Sequence, residues 1–251
     1  MPEALQQLGW LLPLCLLVLG LCVGSFLNVV IYRLPLMMET RWRAECCELL
    51  EQEQETQDAP MNLATPNSHC PQCKAAIRPW HNIPVVSYLL LGGKCFNCSA
   101  PISMRYPAIE LVTGLLTLAL VWYFPLSWAL GGAMLFTWAL VALTMIDVDH
   151  QLLPDNITLP LLWLGLLLNL NGTYVPLSDA VIGAMAGYLL LWSIYWLFRL
   201  VTGKEGMGYG DFKLLAALGA WMGWEALHMI ILMSSVVGAV TGIALMFIKR
   251  R

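Results

Sequence analysis

The residues of this chain whose types and spacing carry chemistry are two pairs of cysteines and a small set of aspartates set in apolar sequence. Cys70-Pro-Gln-Cys73-Lys-Ala-Ala-Ile77 is echoed by Cys95-Phe-Asn-Cys98-Ser-Ala-Pro-Ile102. A tight CxxC turn aims two thiolates at one point, and two such knuckles complete a tetrahedral tetrathiolate site for zinc. A redox CxxC and a pair of buried disulfides are the competing readings; the paired spacing favours zinc. Four protein ligands leave no position for a reactive water, so the metal is expected to be structural. His69 and His81 lie near the knuckles and are expected on the domain surface.

The first aspartate cluster is Met145-Ile-Asp147-Val-Asp149-His-Gln-Leu-Leu-Pro154-Asp155, at the end of an apolar run. An ionisable group there is either an interfacial residue reaching water or a functional group held against a desolvation cost. Asp155, with Asn156 after Pro154, fits the N-cap of a following helix, and Asp149 fits loop polarity. Asp147, the deepest, is the least easily explained in such terms. The second site is Gly206-Met-Gly208-Tyr-Gly210-Asp211-Phe-Lys213. Its glycines, Gly208 and Gly210 among them, permit unusual backbone angles and close approach of another segment beside Asp211. The competing reading is a flexible loop ending in an Asp N-cap. Two carboxylates brought together in a low-dielectric site cannot both ionise, so one stays protonated near neutral pH. The ionised member can then take a proton from water while the protonated one hydrogen-bonds a scissile carbonyl.

The elements that must position these groups belong to a membrane protein. A chain of 251 residues that is 59% hydrophobic and only 12% charged cannot hide its apolar surface in one soluble core. A net charge of -3 with no long basic run gives no footprint for nucleic acid. The partner medium is a lipid bilayer. The first apolar run lacks a basic n-region and a small-residue cleavage site, so it is expected to be a retained helix and not a signal peptide.

Apolar stretches run over roughly residues 9 to 31, 108 to 124, 126 to 146, 157 to 170, 178 to 200, 212 to 224 and 226 to 248, against the ~20 residues a spanning helix needs. The fourth and sixth are short. If all of them span and the N-terminus is periplasmic, all 13 Lys and Arg fall on the cytoplasmic side, as the positive-inside rule requires. Deleting the two short spans would move Arg199, Lys204 and Lys213 outside. The expected fold is therefore an all-α polytopic membrane protein of about seven transmembrane helices. Asp147 ends an inward-running helix and Asp211 begins an outward-running one, so both are expected at the cytoplasmic face. The expected domains are a first transmembrane helix (1–32), a cytoplasmic zinc-knuckle domain (33–107) and a membrane domain (108–251). The acid-rich stretch from Glu45 to Asp58 reads as a solvated helix, followed by a linker from Ala59 to Asn67.

Taken in order, these residues resemble the type IV prepilin peptidase family. The resemblance is carried by Gly24-Ser-Phe-Leu-Asn28-Val-Val-Ile-Tyr-Arg33-Leu-Pro35, the two knuckles with His81-Asn-Ile-Pro84 between them, Arg105-Tyr-Pro107 with Glu110, the Asp147 to Asp155 stretch, and the GxGD motif at Gly208 to Asp211. It implies a bifunctional enzyme of the bacterial inner membrane. Such an enzyme removes the basic leader of prepilins and of type II secretion pseudopilins at the cytoplasmic face, then methylates the new N-terminus with S-adenosylmethionine as donor. The family's catalytic pair falls on Asp147 and Asp211, and its methyl-transfer glycine on Gly93. Family members usually continue into a further apolar span beyond Lys249-Arg250-Arg251. Glu110, inside an apolar run near its cytoplasmic end, is a candidate contact for the substrate's positive leader or new amino terminus, with pairing to Arg105 or contact with interfacial water as the alternative. The rival of another class is a scaffold or transporter, which would place several polar groups at mid-bilayer; here the aspartates cluster at one face.

Overall fold

The computed structural model describes Gly9, residues 11–51 and residues 61–249. Residues 52–58 of the Glu45 to Asp58 stretch, the start of the expected linker, Arg250 and Arg251 lie outside the described residues. The described chain is nearly all helical. It comprises α1 (Leu11–Leu49), a 3-10 turn (Pro79–Asn82), α2 (Val86–Leu90), α3 (Arg105–Tyr123), α4 (Trp128–His150), α5 (Asp155–Asn169), α6 (Leu177–Thr202), α7 (Tyr209–Met222) and α8 (Trp224–Lys249). Each of the seven expected spans is a helix, and five of them (α1, α3, α4, α6 and α8) are long and apolar enough to cross a membrane. The other two, α5 and α7, have 15 and 14 residues. At ~1.5 Å per residue each covers roughly 20 Å, short of the ~30 Å hydrocarbon core.

The chain divides into two compact units, Met1–Leu152 and Leu153–Arg251. In the first, α1 packs along α3 and α4. Small residues allow the helices to meet backbone to backbone: a Cβ on Gly20 would stand 2.6 Å from Thr117 Oγ1, and one on Gly24 would stand 2.7 Å from the Glu110 Cα. Such contacts supply the association that hydrophobicity cannot supply within lipid. Trp138 Nε1 donates to Thr117 Oγ1 at 2.9 Å, and Asn28 Nδ2 to the Tyr106 carbonyl at 3.2 Å. The helix α1 does not stop where its apolar stretch ends. It continues through Pro35 to Leu49, supported by the i,i+4 pairs Glu39–Arg43 and Arg41–Glu45, so the expected solvated helix at Glu45 begins as the tail of the first span.

In the second unit, α6 packs on α7 through Gly183 and Gly219, where a Cβ on either residue would overlap the other's backbone. Gly187 lies on the Leu215 carbonyl in the same way. Asn169 is fully buried and closes the far end: its Nδ2 donates to the Ala220 carbonyl at 2.9 Å, while its Oδ1 accepts the N–H groups of Tyr174 and Val175. Nearby, Trp221 Nε1 donates to the Leu161 carbonyl at 2.8 Å. By contrast α8 exposes Leu232, Val236, Val240 and Met246 within an apolar sequence, the surface of a helix that faces lipid.

Candidate active site and metal centre

The two knuckles are one structure used twice, 25 residues apart. In the first, the Cys70 N–H donates to the Ala75 carbonyl, Lys74 to Cys70, and Ile77 to Ser68; in the second, Cys95 donates to Ala100, Ser99 to Cys95, and Ile102 to Gly93. Lys74 and Ser99 each take a positive φ, 58° and 57°, to turn the chain after the second cysteine. The result gathers the sulfurs of Cys70, Cys73, Cys95 and Cys98 within 4.8 Å of one another, with Cys70 and Cys98 Sγ atoms 3.8 Å apart. A tetrahedron with metal–sulfur bonds of ~2.3 Å has an edge of about 3.8 Å. A disulfide would need ~2.05 Å, and all eight cysteines are free.

Electrostatics favours a cation at this point. The Ala75 N–H, with the Asn97 side chain second, draws the Cys73 thiol down to about 6. Cys95 is likewise lowered by the N–H groups of Cys98 and Asn97. Cys98 accepts the Ala100 N–H, yet desolvation and the three neighbouring sulfurs push it up to about 11. Four thiolates this close repel one another, and a divalent ion at their centre removes the conflict. The four-cysteine group therefore fits a metal ion. Of the two histidines near it, His69 Nδ1 lies 3.2 Å from the Asn67 carbonyl and His81 stacks on Phe96, so neither is in the sulfur cluster.

Asp147 lies one turn before the end of α4, where its carbonyl accepts the N–H of Gln151, a residue in the left-handed conformation that terminates the helix. Two residues on, Asp149 receives both guanidinium nitrogens of Arg105, at 2.7 and 2.5 Å, and Arg105 also reaches the Met145 carbonyl at 3.5 Å. The start of α3 thus clasps the end of α4. Asp149 is accordingly part of an ion pair, and its expected role as loop polarity is replaced by a structural one.

Asp211, in the second unit, sits in the first turn of α7. Gly208 is the N-cap, with no side-chain cap bond, and its carbonyl accepts the Asp211 N–H at 3.3 Å. Asp211 is therefore not the N-cap. The neighbouring glycines serve close packing: a Cβ on Gly206 would stand 2.8 Å from the Phe198 ring, and one on Gly210 would stand 2.8 Å from the Leu153 Cβ, whereas Gly208 has open space beside the Asp211 carboxylate. Two residues after Asp211, Lys213 Nζ binds both carboxylate oxygens of Asp155, at 2.8 and 2.7 Å. Asp155 was expected as an N-cap; Pro154 holds that position, and Asp155 ties the start of α5 to the start of α7.

Glu110 is 8% exposed and accepts the Val85 N–H at 2.8 Å. It does not pair with Arg105, which is committed to Asp149. Val85 has φ 60° and ψ -47°, a conformation that costs a β-branched residue ~1–3 kcal/mol and is held here by the carboxylate bond. Gly93 has a backbone reason to be glycine. Its φ is +70° and a Cβ would stand 3.0 Å from Tyr88 Oη. Arg33 is the residue the sequence placed least well: 7% exposed, it donates to the carbonyls of Asn62, Leu63 and Pro66 and fastens the chain that leads into the first knuckle to α1. Besides its place in the Gly24 to Pro35 motif, its sequence signal is a cation between apolar residues, Tyr32 and Leu34.

Apolar exposed helices joined to a knuckle domain with a four-cysteine centre define a multi-pass membrane protein with an inserted metal-binding module. A family model described as the Bacterial Peptidase A24 N-terminal domain matches residues 18–124, and one described as the Type IV leader peptidase family matches residues 134–243. A relative from Pseudomonas aeruginosa named prepilin leader peptidase/N-methyltransferase is 58% identical over 94% of this chain and 81% of its own length. Relatives of the same name from Aeromonas hydrophila and Neisseria gonorrhoeae are 55% and 52% identical, over 98% and 93% of this chain and 86% and 82% of theirs. The chain belongs to the prepilin leader peptidase family. No solved structure matches it.

Proposed function

We propose that this chain is a bifunctional membrane enzyme that cleaves the leader peptide of type IV prepilins and type II secretion pseudopilins and methylates the new N-terminal residue. The observation that carries the reading is the similarity over nearly the whole chain to relatives named for both activities. Asp147 and Asp211 form the catalytic pair. In support, each carboxylate follows or precedes a helix end that an ion pair fixes inside its own unit, Arg105–Asp149 for α4 and Lys213–Asp155 for α7. In the cleavage step one carboxylate takes a proton from water as the water oxygen attacks the scissile carbonyl, and the other, protonated, hydrogen-bonds the carbonyl oxygen. Collapse of the tetrahedral intermediate breaks the C–N bond, and the amine leaves with a proton. That amine is the nucleophile of the second activity: it takes the methyl group of S-adenosylmethionine, losing a proton and releasing S-adenosylhomocysteine.

The Cys70, Cys73, Cys95 and Cys98 site holds zinc and is structural, because four thiolates fill the tetrahedron. Gly93 lies in the hairpin between α2 and the second knuckle, the part assigned to methyl transfer, and Glu110 is a contact for the substrate's positive leader region. The protein sits in the bacterial inner membrane with a periplasmic N-terminus and the knuckles and aspartates at the cytoplasmic face, in keeping with the one-sided distribution of Lys and Arg. The organisation into a first helix (1–32), a cytoplasmic domain (33–107) and a peptidase domain (108–251) belongs to the same reading. The test is incubation of the purified full chain with a prepilin, with and without the methyl donor, followed by mass measurement. A product shortened by its leader, and one methyl group heavier only when the donor is present, is expected. An intact prepilin would refute the cleavage reading, and a cleaved but never methylated product would refute the second activity.

A further inference from the structure

The knuckle domain presents an apolar face that the other described residues leave exposed. Ile83, Val86, Leu89 and Leu90 are all exposed, the last two by 71% and 81%. Val86, Leu89 and Leu90 stand at i, i+3 and i+4 and share one side of α2. Tyr88, off that side, packs toward Gly93. Two adjacent leucines, Leu89 and Leu90, beside Ile83 and Val86 at the surface of a water-soluble domain would be an open apolar patch.

We propose that α2 lies on the lipid surface at the boundary of the bilayer that α3 crosses. Ile83, Val86, Leu89 and Leu90 enter the region between headgroups and acyl chains, and Lys74, Arg78 and Lys94 face anionic headgroups. The inference rests on the membrane reading of α3 and is independent of the roles given to Asp147 and Asp211. Three observations carry it. The first is level: the Val85 N–H is bonded to Glu110, which lies ~7.5 Å along α3 from Arg105 at ~1.5 Å per residue. The N-terminus of α2 is thereby held beside the second turn of a membrane helix and not out in water. The second is charge. From Met61 to Met104 there is no Asp or Glu, while Lys74, Arg78 and Lys94 are all present; even against the two net negative charges of a zinc tetrathiolate the segment stays positive, which suits an anionic lipid surface and opposes the basic leader of a prepilin. The third is composition at the edge of the patch. Trp80 is exposed and has the Arg78 guanidinium 5.9 Å from its ring centroid, a pairing typical of the membrane interface. A short helix with apolar residues on one side and cations around it is an interfacial element.

The full chain, in nanodiscs made from equal parts phosphatidylcholine and phosphatidylglycerol, tests this with two carbene probes, one carried on a lipid acyl chain and one dissolved in water. After photolysis the adducts are mapped by peptide mass spectrometry. Lipid-borne adducts are expected on Ile83 to Leu91 and, as a control, on α8, with little labelling of the segment from water. Leu89→Asp with Leu90→Asp should reduce lipid adducts on the segment by at least about tenfold, a lower bound for withdrawing two leucines from an interface, and leave α8 unchanged. Leu89→Phe with Leu90→Phe should keep them. Water-borne labelling of the segment while α8 carries lipid adducts would overturn the proposal. So would protection from both probes, which would mean that a protein partner or a second copy covers the face. Loss of lipid adducts on α8 as well would instead overturn the membrane reading on which the proposal stands.

Discussion

Breaking the clasp between Arg105 and Asp149 should impair cleavage without removing either candidate catalytic group. The pair is bidentate, with N···O distances of 2.7 and 2.5 Å, and its side chains are 39% and 27% exposed. A buried, charge-assisted pair of this geometry would couple by ~3 kcal/mol or more; solvent screening at this exposure reduces that to about 1–2 kcal/mol. Arg105 also offsets Asp149, a carboxylate in the last turn of α4 where the helix dipole disfavours negative charge. If that energy keeps the end of α4 in place, Arg105→Gln and Asp149→Asn should each lower the kcat/KM of prepilin cleavage by ~5- to 30-fold, the equivalent of about 1–2 kcal/mol. The double variant should be no worse than the poorer single one, giving a coupling energy of about the same size. The assay is the double-mutant cycle on purified protein, with the thermal unfolding midpoint measured alongside. Losses that simply multiply in the double variant would show that the two side chains act independently and would refute the clasp.

Other consequences follow from the same contacts. Glu110→Ala leaves the Val85 N–H without its acceptor and should destabilise the first unit by ~1–3 kcal/mol, whereas Glu110→Gln keeps an acceptor and should cost under about 1 kcal/mol; thermal unfolding in detergent separates the two. Gly219→Ala would drive a methyl group into the Gly183 backbone and should destabilise the second unit by ~1–3 kcal/mol or more, seen as a lower unfolding midpoint or poor folded yield, while Gly131→Ala, with open space around it, should be neutral. Cys73→Ser should abolish stoichiometric zinc. In wild-type protein chelation should open Cys70, Cys73, Cys95 and Cys98 to alkylation together, and staggered exposure of the four would contradict a single tetrathiolate centre.

Much of this was legible in the residues, for reasons that are themselves physical. Apolar stretches with turn residues between them marked seven helices, five of them long and apolar enough to cross a membrane, because lipid forces every backbone group into an intrahelical bond. The knuckles were legible because CxxC at paired spacing has few other uses. Helix ends were read less well. Hydropathy stops at Ile31, but the helix does not, since the i,i+4 pairs at Glu39–Arg43 and Arg41–Glu45 carry it onward in water. Asp149 and Asp155 looked like loop polarity and a cap because their partners, Arg105 and Lys213, are 44 and 58 residues away in sequence. The same distance hid the anchoring of Arg33 in the carbonyls of Asn62, Leu63 and Pro66. From the sequence Glu110 reads as a substrate contact, with pairing to Arg105 or to interfacial water as the alternative; in the fold it accepts the Val85 backbone amide, at a residue in an unusual conformation, which no local pattern announces.

The central claim, that Asp147 and Asp211 together perform peptide hydrolysis, is tested most directly by replacing each with asparagine in the full chain and following prepilin cleavage by mass. Asparagine keeps the size of the side chain but can neither accept the water proton nor share one. Each single variant should lose leader cleavage entirely while remaining in the membrane, binding zinc, and methylating a substrate supplied already cleaved. Retained cleavage in either variant would contradict the account.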